Sequence, residues 1–172
     1  MPLESGIILP VPEAEPLVGR LRTLHDPQAR LGVPAHITLL YPFAHASKVA
    51  DAIDALRQLF SRVPAFEFSL AETRRFPGTG YLHPEPSTPI VGLTEMLVRQ
   101  WPEYPPYGGA FPTVTPHLTV AQNAAADVLD AVDASLSAGL PIVCRAKEAW
   151  LLCSDERGFW SVREVFRLAD GV

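Results

Sequence analysis

The sequence predicts an α+β fold made of two similar lobes. Hydrophobic residues make up 48% of the 172 positions and charged residues 19%, a composition that can bury a core within one domain. Segments of strand spacing alternate with segments of helical spacing in the order β-α-β-α-β. The order then occurs a second time, with the middle strands about eighty positions apart. We therefore expect a single domain over residues 1–172, with a first half of about 1–76 and a second half of about 77–172.

The first half contains three predicted strands and two predicted helices. Its strands cover residues 5–10, 35–43 and 65–75. The first helix, over residues 12–25, has Arg20 and Arg22 on the side opposite its leucines. Ser47 is in position to cap the second helix. The apolar stripe of that helix consists of Val49, Ile53, Leu56 and Phe60.

The second half repeats this order after a turn at residues 76–78. Its strands are predicted over residues 79–83, 116–122, 140–153 and 158–168. One helix begins at Thr88 and Pro89, and another is capped by Asn123. Residues 101–112, after the first of these helices, contain several aromatic residues and too much proline and glycine for regular structure. A loop of this composition is suited to cover a site.

The charge and the cysteines disfavour several classes of partner. A chain with a formal charge of -5 lacks the basic surface that binds a long nucleic acid duplex, whereas a short phosphorylated ligand needs only a few contacts. Cys144 and Cys153 form no disulfide or metal-binding pattern. No apolar run approaches the ~18 residues of a membrane span, and no basic leader precedes the first strand. We expect a cytoplasmic protein that binds no membrane, and a monomer, because two lobes of one chain can form a site.

One short pattern occurs at the equivalent strand of each half. It is His36-Ile37-Thr38-Leu39 in the first half and His117-Leu118-Thr119-Val120 in the second. Residues two apart on a strand share a face, so each strand presents an imidazole and a hydroxyl together and directs its apolar residues to the other face. Chance alone gives two such matches in roughly two sequences per thousand. The pattern therefore indicates a shared chemical role.

Two histidines and two threonines suit the cleavage of a phosphodiester. In-line displacement needs a base that deprotonates the attacking water and an acid that protonates the leaving oxygen on the other side of phosphorus. Imidazole, with a pKa of ~6.5, serves as either near neutral pH. Threonine hydroxyls can donate to phosphate oxygens on which negative charge grows. This scheme requires neither a metal nor a cofactor.

The duplicated His-x-Thr pattern, in a chain of this size, resembles the 2H phosphoesterase superfamily and specifically its 2′-5′ RNA ligase-like branch. Leu40-Tyr41-Pro42-Phe43 and Phe76-Pro77-Gly78 are also similar to segments of that branch. The resemblance implies two pseudo-symmetric lobes of antiparallel β-sheet with outer helices and an active cleft between them. It implies that His36 and His117 are an acid-base pair. It also implies that the hydroxyls of Thr38 and Thr119 bind phosphate. The implied activity is hydrolysis of 2′,3′-cyclic phosphates of nucleotides or RNA ends, or of 2′-5′ links.

Other interpretations of the same residues remain open. A non-catalytic module would hold a nucleotide or an RNA end in the cleft, and a 2′-5′ RNA ligase would join ends there. A metal site would use the histidines as ligands, but the sequence has no His-x-His or HExxH pattern and no third ligand at fixed spacing. In the first two cases the expected partner is a small nucleotide or an RNA end.

Aromatic residues near the expected cleft are candidates for stacking on a nucleobase. Tyr41, Phe43, Phe76 and Tyr81 lie at the ends of predicted strands, and Tyr107 lies in the proline-rich loop. Core packing is the competing interpretation for the strand-end residues.

Overall fold

Eight strands form two antiparallel sheets in the computed structural model, which describes residues 3–170. The strands are β1 Ser5–Pro10, β2 His36–Leu40, β3 Phe66–Phe76, β4 Thr79–Glu85, β5 Leu118–Ala121, β6 Ile142–Ala146, β7 Glu148–Ser154 and β8 Trp160–Arg167. The first sheet has the order β2-β1-β7-β8, and the second sheet has the order β5-β4-β3-β6. The predicted α+β fold with two antiparallel sheets is therefore confirmed.

Five α-helices accompany the sheets in the described part of the chain. They are α1 Glu15–His25, α2 Pro27–Arg30, α3 Ile53–Ser61, α4 Thr88–Gln100 and α5 Ala126–Ser137. Short 3-10 turns lie at Pro12–Ala14, Val49–Ala52 and Pro106–Gly109. Each of α1, α2 and α4 has proline in its first turn, where the missing N–H is not needed. None of the helices within residues 3–170 is long and apolar enough to cross a membrane.

The two sheets do not coincide with the two halves of the sequence. The third strand of the first half, β3, pairs with β4 and β6 of the second half. In return β7 pairs with β1, with Ser5 aligned to Cys153, and β8 joins β7. The single strand predicted over residues 140–153 is wrong, because Lys147 separates β6 in the second sheet from β7 in the first.

Buried apolar residues of both sheets and of the helices form one continuous core cluster. The predicted orientation of α1 is wrong in one respect: Arg22 is only 2% exposed, whereas Leu24 is 58% exposed. A small second cluster contains Ile8, Val33 and Leu152 and packs against Trp150 and Trp160.

The predicted helix caps at Ser47 and Asn123 are also wrong. The Ser47 hydroxyl bonds to His45 Nδ1 at 2.8 Å, and the N-cap of the following 3-10 turn is Lys48. Asn123 lies in a turn with φ of 52°, a left-handed conformation that asparagine tolerates, and α5 begins after Ala125. Both residues lie in the turn that precedes a helix. A polar residue before an apolar stripe therefore predicted the presence of each helix correctly, but not the position of its first residue.

Candidate active site

The structure brings the two His-Thr patterns to one cavity. β2 and β5 are edge strands of different sheets, and they contact each other. A cavity of about 360 Å³ lies there, and all four pattern residues line it: His36, Thr38, His117 and Thr119. The second pattern begins one residue before β5, so its histidine precedes the strand and its threonine lies within it.

Strand alternation positions these side chains. In β2, Ile37 is 0% exposed because it faces the core, while His36 is half-buried on the opposite face. In β5, Leu118 and Val120 are fully buried, and Thr119 between them lies on the cavity side. Each polar pair is therefore held by a strand whose other face is fixed in the core.

The two imidazole rings are held by matching hydrogen bonds. His36 Nδ1 donates to the carbonyl oxygen of Pro34 at 2.7 Å, and His117 Nδ1 donates to the carbonyl oxygen of Thr115, also at 2.7 Å. A carbonyl oxygen only accepts, so the hydrogen must be on Nδ1 in both rings. Nε2 is then the basic nitrogen of each neutral ring.

Burial disfavours the protonated form of both rings. The pKa of His36 is lowered to about 4: burial is the largest cause, the bond to the Pro34 carbonyl opposes it, and the positive charges of Arg22 and His117 add to the lowering. Burial also lowers the pKa of His117, and the bond to the Thr115 carbonyl opposes it. At neutral pH each ring is thus a neutral base, and a bound anion would favour its protonation.

The proline-rich loop covers the first pattern. Tyr107 has a left-handed backbone with φ of 52°, and its N–H donates to the carbonyl oxygen of Tyr41 at 2.6 Å. Its side chain lines the cavity beside Thr38; burial raises the pKa of the Tyr107 phenol, and the Thr38 side chain lowers it. The loop therefore brings Tyr107 next to Thr38, and a phosphate bound to Thr38 would lie close to this phenol.

Two aromatic rings form part of an apolar wall. The Tyr41 hydroxyl donates to Glu4 Oε2 at 2.9 Å, and the pKa of Tyr41 is raised to about 12 by burial and by this carboxylate. The Tyr41 ring meets the Trp160 ring edge-on, with 6.0 Å between centroids. Ile8 and Leu152 continue the wall. An aromatic and apolar wall of this kind suits a nucleobase.

The other aromatic candidates lie elsewhere. Phe76 and Tyr81 are stacked at 4.5 Å, and each meets the His117 ring edge-on, at 5.3 and 5.5 Å. They support His117 and are not part of the cavity lining. Phe43 is 5% exposed and packs between Trp101 and Tyr104, so it belongs to the core. Of the five aromatic candidates, Tyr41 and Tyr107 line the cavity.

A buried ion pair fixes another part of the wall. Arg22 Nη2 lies 3.0 Å from Asp26 Oδ2, and both residues are at most 2% exposed. Arg22 Nη1 donates to the carbonyl oxygen of Val33 at 3.1 Å, and Asp26 Oδ1 accepts from the Gln28 N–H at 3.0 Å. Asp26, Gln28 and Val33 line the cavity, so this pair holds the segment that forms its side.

The described residues gather no group of three or more His, Cys, Asp or Glu side chains that could hold a metal ion. Neither cysteine lines the cavity described above. Burial raises the pKa of Cys153, and burial together with Glu13 raises that of Cys144 to about 12. A thiol with a raised pKa is a poor nucleophile near neutral pH.

Comparison with known families assigns the chain. A model of the 2′-5′ RNA ligase superfamily matches residues 10–158, a range that contains both His-Thr patterns. The chain belongs to the 2′-5′ RNA ligase superfamily. Its members are also grouped as 2H phosphoesterases, in agreement with the resemblance noted from the sequence. A comparison with curated proteins gives no significant match.

Solved structures share the fold of this superfamily member. Escherichia coli LigT in its apo form aligns with a TM-score of 0.68 at 19% identity, covering 98% of this chain and 99% of LigT. LigT complexed with 3′-AMP aligns with a TM-score of 0.65 at 19% identity and the same coverage. A Thermus thermophilus protein aligns with a TM-score of 0.65 at 18% identity, again over 98% and 99% of the two chains.

Proposed function

We propose that this chain is a phosphodiesterase that hydrolyses 2′,3′-cyclic phosphates of nucleotides or RNA ends, or 2′-5′ links, by acid-base catalysis with two histidines and without a metal. The observation that carries the proposal is the pairing of His36 and His117 in one cavity, each with Nδ1 hydrogen-bonded to a carbonyl. Membership of the 2H phosphoesterases supports it.

Each of the two rings carries out one proton transfer during hydrolysis. Nε2 of one neutral ring takes a proton from water, and the oxygen of that water forms a bond to phosphorus. The bond from phosphorus to the ribose oxygen breaks, and the second ring, protonated, gives its proton to that oxygen. The hydroxyls of Thr38 and Thr119 donate to the non-bridging oxygens, where negative charge accumulates.

The walls of the cavity favour a small nucleotide. Its volume of about 360 Å³ is in the range of small-molecule sites. Tyr41 and Trp160 offer ring faces or edges to a base, and LigT, which shares the fold, is complexed with 3′-AMP in one structure and with ATP in another. These features support a nucleotide or a terminal residue of RNA as the ligand.

Charge around the cavity disfavours a long RNA. Arg157 is the one lysine or arginine among the described residues that line it, whereas Glu4, Asp26 and Glu156 supply carboxylates. A protein that tracks a long phosphate backbone needs several basic contacts. We therefore assign the substrate to free cyclic nucleotides or short ends.

Turnover by the wild-type protein tests the proposal. We expect hydrolysis of at least one of 2′,3′-cyclic AMP, CMP, GMP and UMP, or of a short RNA with a cyclic phosphate end, at the same rate with and without EDTA. Phosphorus NMR or chromatography gives the product. Activity lost in EDTA and restored by zinc would contradict the mechanism. Tight binding without turnover would favour a binding module, and joining of RNA halves would favour a ligase.

The pH dependence of kcat/KM follows from the buried rings. The reactive form carries one proton on the pair, and its population is greatest between the two pKa values of the free enzyme. Because burial lowers both below 6.5, and that of His36 to about 4, we expect the maximum of kcat/KM below pH 6.5. The maximum of kcat is expected at higher pH, since a bound phosphate raises both values.

Initial rates at low and at saturating cyclic nucleotide, over a pH series at constant ionic strength, separate these two profiles. Circular dichroism at each pH controls for acid unfolding. A kcat/KM maximum above about pH 7 would be inconsistent with the buried, carbonyl-bound rings.

A further inference from the structure

One peptide group behind the cavity is hydrogen-bonded on both of its sides. The carbonyl oxygen of Pro34 accepts from His36 Nδ1 at 2.7 Å. The N–H of Ala35, which belongs to the same peptide unit, donates to Glu15 Oε1 at 2.6 Å. The carboxylate of Glu15 is therefore connected to the imidazole of His36 through a single amide group.

We propose that Glu15 is a positioning residue for His36, which it orients and supports electrostatically through the Pro34–Ala35 peptide. Its effect on turnover rests on the proposed function, whereas its effect on the His36 ring does not. The role lies outside the cavity, because Glu15 is not among its lining residues.

The physical basis is the polarisation of the amide. A carboxylate at the N–H side shifts electron density toward the carbonyl oxygen, and hydrogen bonds in such a chain strengthen one another by roughly 10–30%. A more negative carbonyl oxygen is a better acceptor for Nδ1–H, most of all when the ring is protonated. Glu15 thus opposes the effects of burial and of the Arg22 and His117 charges on His36.

The surrounding elements fix Glu15 and the peptide. Glu15 is the first residue of α1, a helix anchored in the core by Val18, which is 0% exposed. The carbonyl oxygen of Ala35 accepts from the Val11 N–H at 2.9 Å, and Ala35 is itself 1% exposed. The peptide therefore has little freedom to turn toward another partner.

The second histidine has no such support. His117 Nδ1 donates to the carbonyl oxygen of Thr115, but the nitrogen of that peptide belongs to Pro116 and carries no hydrogen. The equivalent amide cannot be polarised by a carboxylate in the same way. The two rings are therefore chemically unequal, and a change at Glu15 should affect one and not the other.

Glu15→Gln tests this proposal, because a glutamine oxygen can still accept from Ala35 while the charge is lost. NMR titration of the 15N-labelled imidazoles should show the His36 pKa lowered by about half a unit or more and that of His117 unchanged. We expect kcat/KM for the cyclic nucleotide to fall about tenfold, mostly through kcat, as for other groups that orient a reacting side chain.

Glu13→Gln is the matched control. Glu13 Oε2 accepts from the Arg145 N–H at 2.6 Å, so it too is a carboxylate bound to a backbone amide, but the two histidines bond to the Pro34 and Thr115 carbonyls and not to that peptide. Equal titration of His36 in wild type and Glu15→Gln, or the same shift in Glu13→Gln, would overturn the proposal. If the wild-type protein shows no turnover but Glu15→Gln still lowers the His36 pKa, the proposed function is refuted and the role of Glu15 stands.

A measurement on the unmodified chain avoids any loss of folding in the variants. The amide proton of Ala35 should change its chemical shift as His36 titrates, because both belong to one hydrogen-bonded chain. The Arg145 amide, bound to Glu13, should not respond. An Ala35 amide that is indifferent to the protonation of His36 would overturn the proposal.

Discussion

Replacing either cavity histidine by alanine is expected to lower kcat for a cyclic nucleotide by about 10³-fold. His36→Ala removes one proton carrier and His117→Ala the other, and in-line hydrolysis needs both. The double variant should be hardly slower than either single variant, since groups that act as a unit are not additive. Single-turnover and steady-state assays in EDTA measure the loss, with thermal unfolding to confirm that each variant is folded.

His45→Ala is the control for this prediction. His45 is exposed, its Nδ1 is bonded to the Ser47 hydroxyl, and it does not line the cavity. The turnover of the His45→Ala variant should equal that of the wild type. A folded His36→Ala or His117→Ala variant with more than about a tenth of wild-type kcat would contradict an acid-base role for that ring.

Asp26→Ala is expected to lower the free energy of unfolding by about 3–5 kcal/mol. It would leave the Arg22 guanidinium, which is 2% exposed, without its carboxylate partner in the interior. Arg22 Nε already lacks a hydrogen-bond partner. In the variant, the bond from Nη1 to the Val33 carbonyl would be the remaining hydrogen bond of the buried guanidinium. The same change removes the cap of α2, where Asp26 accepts from the Gln28 N–H. Urea denaturation monitored by tryptophan fluorescence gives the difference.

Asp54→Ala provides the comparison for the lost ion pair. Asp54 also pairs with an arginine, Arg57, at 2.7 Å, but its side chain is 90% exposed. An exposed pair of this kind contributes at most about 1 kcal/mol. The combined change Arg22→Met with Asp26→Leu should recover much of the stability lost in Asp26→Ala, because no buried charge is left unpaired. Similar losses in Asp26→Ala and Asp54→Ala would show that burial of the pair has no energetic weight.

The sequence predicted the features that depend on local periodicity. The period of two in β2 separates His36 and Thr38 from Ile37, and the structure shows that separation. The two-sheet α+β fold followed from the order of apolar segments and from the family resemblance. The roles of the four His-Thr residues remain predictions until turnover is measured.

Features that depend on long-range pairing could not be predicted. Between β6 and β7 only Lys147 intervenes, and no glycine or proline marks the point where the chain changes sheets. Arg22 and Asp26 have the spacing of an exposed helix pair, and only the packing of the following segment against α1 buries them. The position of Trp160 in the cavity wall could not be predicted from neighbouring residues either, because it depends on the pairing of β8 with β7.

The exchange of strands between the halves has a consequence for synthesis on the ribosome. β1 lies between β2 and β7, and β7 is made only after most of the chain has emerged. Until then the edge of β1 that pairs with β7, at Ser5 to Ile8, has no partner strand and can pair with other nascent chains. The nascent chain therefore exposes an unpaired strand edge for most of its translation. The part of the cavity wall formed by Trp160 is added only when β8 leaves the exit tunnel.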